Sequence, residues 1–198
     1  MPWAPDYLTT QQAKDFLSLT DTLDDTQLAL WVTAASRAID KKTNRQFGQV
    51  TVATARTYRR TPYYVADSGL WVLDIDDVYS VTGLTISQAG ATAVAYASAG
   101  ATLLPDNAPA NSRPWTQLGF TTQPYGPIVV TALYGWAAIP SQVVTACQLQ
   151  MSRWNFRRSS PAGVAGSPDA GSEVRLLARL DPDVATSLMG LSRRRKAG

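Results

Sequence analysis

Residues 50–136, rich in Thr, Val, Tyr, Gly and Pro, stand between two stretches whose apolar residues recur at helical spacing. That interruption constrains the fold more than any other feature. Helices on either side can bury their stripes by meeting each other, while the intervening segment makes short strands of its own. The expected class is therefore α+β: a small helical bundle with helices near 10–18, 24–43 and 141–158, an inserted antiparallel β region over 50–136, and an extended C-terminal segment ending in a short helix. The corresponding organisation is 1–49 with 137–160 as the helical core, 50–136 as the β-rich insertion, and 161–198 as a flexible loop plus a C-terminal docking segment.

The helix starts are written locally. Thr9-Thr10-Gln11-Gln12 is a capping box, with Leu8 placed to staple onto Ala13. Asp24 predicts an N-cap for the second helix, with Gln27 at its third position and Leu23 stapling onto Leu28. Leu28, Trp31, Val32, Ala35, Ala38 and Ile39 then form one apolar stripe against a polar face of Thr33, Ser36, Arg37, Asp40 and Lys41. Asn44 is placed to stop that helix in a left-handed conformation. Ile139-Pro140-Ser141 opens a third helix carrying Val144, Cys147, Met151 and Trp154 at steps of three and four. Asp181-Pro182-Asp183 opens a last, short one.

Inside the insertion, strand-like runs fall at 50–58, 70–75, 78–86, 92–97 and 127–134. The four prolines of 105–126 predict an irregular loop there. Asp74-Ile75-Asp76-Asp77 lacks the glycine and terminal glutamate of a calcium loop, so it reads as a turn and an exposed edge guarded by charge rather than a metal site.

Composition excludes much chemistry. The 198 residues contain no histidine and one cysteine, Cys147, which removes Ser-His and Cys-His nucleophile arrangements and most zinc sites. Glu173 is the sole glutamate, so paired carboxylates would have to come from Asp alone. Gly163-Val164-Ala165-Gly166 follows a helix rather than a strand and no Gly-Lys-Ser/Thr exists, so a phosphate loop is discounted. The reading is a non-enzyme without cofactors. Cys147 is expected to be a buried, inert thiol. With no apolar run of membrane-spanning length and no basic, apolar leader after Met1, the chain is expected to stay in the cytoplasm where it is made.

Charge is uneven. Residues 1–150 hold nine basic and eleven acidic residues, whereas 151–198 hold nine and four, ending in Arg193-Arg194-Arg195-Lys196. Ahead of that tail, the Gly/Pro loop 161–171 leads into Val174, Leu176, Leu177, Leu180, Val184, Leu188 and Leu191, apolar residues punctuated by Arg175 and Arg179. This reads as a segment that docks on another surface. A basic tail can alternatively serve a nucleic-acid-binding module, which high salt would weaken steeply. Arg56, Tyr58 and Arg60 share one strand face, which favours a solvated face or a subunit contact over stacking on nucleic acid. Trp31, Trp71, Trp136 and Trp154 fall at core phase, while Trp3 and Trp115 lie in Pro-containing segments and are candidate interface anchors.

Three segments resemble the head-to-tail adaptor, or connector, proteins of long-tailed bacteriophages: Tyr7 to Leu17 continuing through Leu23-Asp24-Asp25 and Ala34–Asp40 to Thr43–Gly48; Ile139-Pro140 with Ala146–Trp154 and Arg157-Arg158; and Ser160–Gly166 with Glu173–Val184. Together they span about half the chain. The resemblance implies a structural virion protein of the phage neck, assembled in the host cytoplasm, with no membrane partner. Copies would form a homo-oligomeric ring of twelve beneath the portal protein, joined below to a tail-side head-closure or stopper protein. DNA would pass through the ring non-specifically. The portal-docking residues would be Val174, Arg175, Leu176, Leu177, Arg179, Leu180, Val184 and Leu188.

Overall fold

A computed structural model describes residues 4–158, 164–165, 174–175 and 182–193. The chain divides into two compact units, Phe47–Ala138 and a unit of Ala4–Gln46 with the described residues of 139–195. The class is α+β.

The second unit is helical. Helix α1 (Thr10–Leu17) starts at the expected capping box: Gln12 N–H donates to Thr9 Oγ1 at 3.1 Å, and Thr9 N–H donates to Gln12 Oε1 at 2.9 Å. Thr9→Ala should cost about 1 kcal/mol, read as a lower unfolding temperature with unchanged far-UV signal at 20 °C. Helix α2 (Asp25–Thr43) buries Leu28, Val32, Ala35 and Ile39 and ends at Asn44 with φ 54°. Helix α3 (Ser141–Arg158) buries Val143, Ala146, Cys147, Gln150 and Met151. Helices α2 and α3 pack together, α1 touches both, and α4 (Pro182–Ser187) packs on α3.

The start of α2 departs from expectation. Asp24 makes no side-chain cap; its carboxylate instead pairs with Arg158 at 2.7 Å. Leu23 is 90% exposed and staples nothing. Ser36, assigned to the polar face, is buried because its hydroxyl accepts from Tyr7 N–H at 3.0 Å and donates to Val32 O at 2.8 Å. Trp31 and Trp154 are half-buried rather than core.

The first unit is a seven-stranded antiparallel sheet in the order β1 (Thr54–Tyr58), β7 (Ile128–Tyr134), β3 (Leu70–Gln88), β6 (Trp115–Phe120), β5 (Ala101–Leu104), with β2 (Tyr63–Val65) and β4 (Val94–Ala95) also paired to β3. β3 is the spine. Its first half pairs with β2 and β6, its second with β7 and β4, and register shifts between Asp74 and Val78 and between Ser80 and Thr85 mark the change. The core is the inward set Leu73, Ile75, Val78, Leu84, Ile86, Leu118, Phe120, Ile128, Val130, Ala132 and Tyr134.

Four expectations are overturned here. The runs 70–75 and 78–86 are one 19-residue strand, and the acidic cluster is neither a turn nor an edge: Asp74, Asp76 and Asp77 lie mid-strand with their carboxylates engaged. The region 105–126 is not wholly irregular, since it contains a 3-10 turn at Pro109–Asn111 and all of β6. In the loop predicted at 161–171, Val164–Ala165 forms strand β8, which pairs antiparallel with β9 (Val174–Arg175).

Candidate functional site

The C-terminal segment carries most of the residues expected to face a partner. Trp3, Leu176, Leu177, Arg179 and Leu180, and most of the basic tail, lie outside the described residues. Val174 and Arg175 form β9. Val184 and Leu188, expected on a docking surface, are instead 0% and 1% exposed, and Leu191 is also buried. The physical reason is local: α4 lies on α3, and the chain returns to the end of α2, where Arg193 N–H donates to Thr43 O at 2.8 Å. These residues therefore serve their own unit's core. Among the described residues, large apolar side chains that this unit leaves exposed are Phe16, Leu23, Leu30 at 59%, Phe156 at 66% and Met189 at 76%. Leu23 was hidden from the sequence reading by its assignment as a staple, and Met189 by falling outside the apolar phase of its neighbours.

The unit's polar interior is built around Asp40. It accepts from Tyr7 Oη and from Gln46 Nε2, the latter at 2.9 Å, and it pairs with Arg37 Nε at 3.1 Å. Burial pushes the Asp40 carboxyl up, opposed by the Tyr7 bond and the Arg37 charge. Arg37 also donates to Ala4 O and Pro5 O, both at 2.7 Å, so the N-terminal arm is tied to α2. Cys147 is 0% exposed, and burial pushes its thiol up to about 11. At pH 8 only about one molecule in a thousand should carry the thiolate. Alkylation by iodoacetamide should therefore be negligible in the native protein and complete in denaturant; rapid native labelling would contradict this burial.

In the sheet unit the interleaved Arg/Tyr run divides: Arg56 and Tyr58 turn toward β3, while Arg59, Arg60 and Tyr64 stay exposed. Arg56 Nη1 meets Asp76 Oδ2 at 2.8 Å, and its guanidinium lies 3.9 Å from the Tyr134 ring centroid. Tyr58 Oη donates to Asp76 Oδ2 at 3.2 Å and accepts Asp76 N–H at 3.0 Å; burial and the Asp76 charge push its phenol up to about 12. Arg60 reaches Asp74 at 3.8 Å, while Gln117 Nε2 donates to Asp74 Oδ1 at 2.8 Å and to Tyr63 Oη at 3.1 Å. The candidate contacts Arg56 and Arg60 are thus partners of the acidic cluster. Trp136 Nε1 donates to buried Asp77 at 2.9 Å. Trp115 sits in β6, half-buried against the core, and is no exposed anchor. Trp71 is half-buried beneath Tyr64, ring centroids 5.3 Å apart.

Among the described residues no group of three or more His, Cys, Asp or Glu is placed to hold a metal ion, and no helix is long and apolar enough to cross a membrane. What the geometry defines is an α+β chain with interior polar networks centred on Asp40 and on Asp74–Asp77, and exposed apolar side chains on its helical unit.

No protein-family model matches the sequence, and no curated protein does either. A chain in the solved structure "Neck of empty GTA particle computed with C6 symmetry" has a similar fold, with 19% sequence identity and a TM-score of 0.56 over 100% of this chain and 96% of that one. At that identity the likeness is one of fold.

Proposed function

We propose that this chain is a structural neck protein of a phage-like particle. Copies form an oligomeric ring that joins a portal protein to a tail-side head-closure or stopper protein and lets DNA pass. The observation that carries this reading is the fold likeness to a chain of a particle neck, which extends over all of this chain and nearly all of that one. A match that includes both the sheet and the helical unit supports a shared role more strongly than a match of either alone. The head-to-tail adaptor resemblance of three sequence segments points the same way, and the sixfold symmetry applied to that neck is compatible with twelve copies. The setting is the virion, with assembly in the host cytoplasm.

The mechanism is assembly on a template. Free copies associate weakly; the portal binds each one through Val174, Arg175, Leu176, Leu177, Arg179 and Leu180, and neighbours held side by side meet at high effective concentration. Lateral contacts too weak in free solution then suffice to close the ring. Burial of the leucines must exceed the entropy of ordering the segment, and Arg175 and Arg179 pair with portal carboxylates.

Leu176→Asp with Leu180→Asp is the corresponding experiment. The double variant should keep the wild-type unfolding temperature within about 2 °C, a shift below 1 kcal/mol for a chain of this size. It should fail to sediment with portal-bearing heads. Co-sedimentation at wild-type levels would remove this segment from the docking mechanism.

A further inference from the structure

Where β1 ends and β7 begins, the turns 59–62 and 124–127 enclose a cleft of about 300 Å³ lined by Arg59, Arg60, Thr61, Pro62, Pro124, Gly126 and Pro127. No carboxylate lines it. Arg56, Tyr58 and Tyr63, from the same run, are drawn into the acidic network of β3, but Arg59 is exposed and makes no ion pair among the described residues. Arg60 spans 3.8 Å to Asp74 with both side chains partly exposed, a weak pairing. Asp74 already accepts from Gln117 at 2.8 Å, so a shift of Arg60 toward an incoming anion leaves that carboxylate with a hydrogen-bond donor.

The walls are stiff. Three prolines fix their own φ, Ala89 N–H donates to Pro127 O at 3.0 Å, and Gly126 (φ +69°) has no room for a side chain, since a Cβ there would stand 2.9 Å from Ala89 Cβ. Little conformational entropy is lost when such a cleft takes a ligand.

We infer that this cleft takes a phosphodiester group of duplex DNA, with Arg59 as the principal contact, Arg60 as the second and the Thr61 hydroxyl as a donor. The inference rests on the neck reading, which supplies the DNA, and adds the surface that faces it. Two charged contacts and one hydroxyl per copy make a weak, sequence-blind hold, repeated around a ring. That strength suits a channel through which the duplex must still slide.

The test uses full-length protein with Arg194→Gln, Arg195→Gln and Lys196→Gln, which silences the basic tail, and a labelled 30-bp duplex titrated from 25 to 200 mM salt. Arg59→Ala with Arg60→Ala should weaken binding about tenfold at the lowest salt and reduce the slope of log K against log salt by about 2; Arg59→Ala alone should reduce it by about 1. The single variant alters only an exposed side chain, so an unchanged unfolding temperature separates lost contact from lost fold. Duplex binding that ignores both variants, or that vanishes once the tail is silenced, overturns the site. So does saturation by millimolar inorganic phosphate without duplex binding, which would mark a pocket for small phosphates. Sedimentation of the same proteins with portal-bearing heads keeps the two readings apart: attachment with an inert cleft overturns only this inference, whereas failure to attach overturns the neck reading while the titration still reports on the cleft.

Discussion

Gly135→Ala should leave the sheet unit unable to fold. Gly135 follows β7 at φ +120°, a region that L side chains rarely adopt, and a Cβ there would lie 2.0 Å from Gly48 O and 2.7 Å from Gln49 Cα. These neighbours are backbone, not the tip of a flexible side chain. They are also fixed: Gly135 N–H donates to Asp77 O at 2.7 Å, Trp136 N–H donates to Gly48 O at 3.1 Å, and Val50 N–H donates to Tyr134 O at 2.9 Å. Relief of the clash requires breaking this junction, which also carries the Phe47–Trp136 ring contact (centroids 5.1 Å) and the Trp136–Asp77 bond. The expected cost is about 4 kcal/mol or more. The variant should express insolubly or lose its cooperative unfolding transition, and a soluble variant with wild-type thermal stability would refute the junction as described.

Leu188→Ala separates two roles that the sequence does not distinguish. Leu188 is 1% exposed, beside Val184 and Leu191 in a segment whose helix packs on α3. Truncation of a core leucine removes transfer free energy and leaves a cavity, about 3 kcal/mol, or roughly 10 °C in unfolding temperature for a chain of this size. A docking residue behaves otherwise: the free protein keeps its stability and attachment alone suffers. Differential scanning calorimetry of the free protein should therefore show the loss for Leu188→Ala and not for Leu176→Ala. An unchanged transition for Leu188→Ala would return that residue to the docking surface. The same burial means that deletion of everything after residue 171 strips α4 from α3, so point changes at 174–180 test docking more cleanly than truncation does.

Features set by neighbours within four residues were legible in the sequence. The Thr9–Gln12 box, the Leu28–Ile39 stripe, the Asn44 stop, the Pro182 start and the burial of Cys147 each follow from local hydrogen bonding or helical phase. Features set by distant partners were not. Asp74, Asp76 and Asp77 look like a charged turn until Gln117, Arg56 and Trp136 arrive from 20 to 59 residues away to satisfy them, so β3 was read as two strands. Asp24 has the right type for a cap, but the longer-range attraction of Arg158 takes its carboxylate. Trp115 reads as an exposed aromatic among prolines, yet Val78 pairs with it across the ladder and holds it against the core.

The candidate site follows the same division. Apolar phase alone marks Val184 and Leu188 as a stripe but cannot say which surface covers it; α3 does. The Arg/Tyr run of 56–64 is visible as composition, whereas its partition into an inward network around Asp76 and an outward Arg59 depends on which residues β1 brings over β3.

The proposed neck role is best tested by electron microscopy of the protein mixed with the portal encoded beside it. A closed ring of this chain should sit on the tail-facing end of the portal, with an open central channel wide enough for duplex DNA. Portal particles without added density, at protein concentrations that saturate any binding, would contradict it.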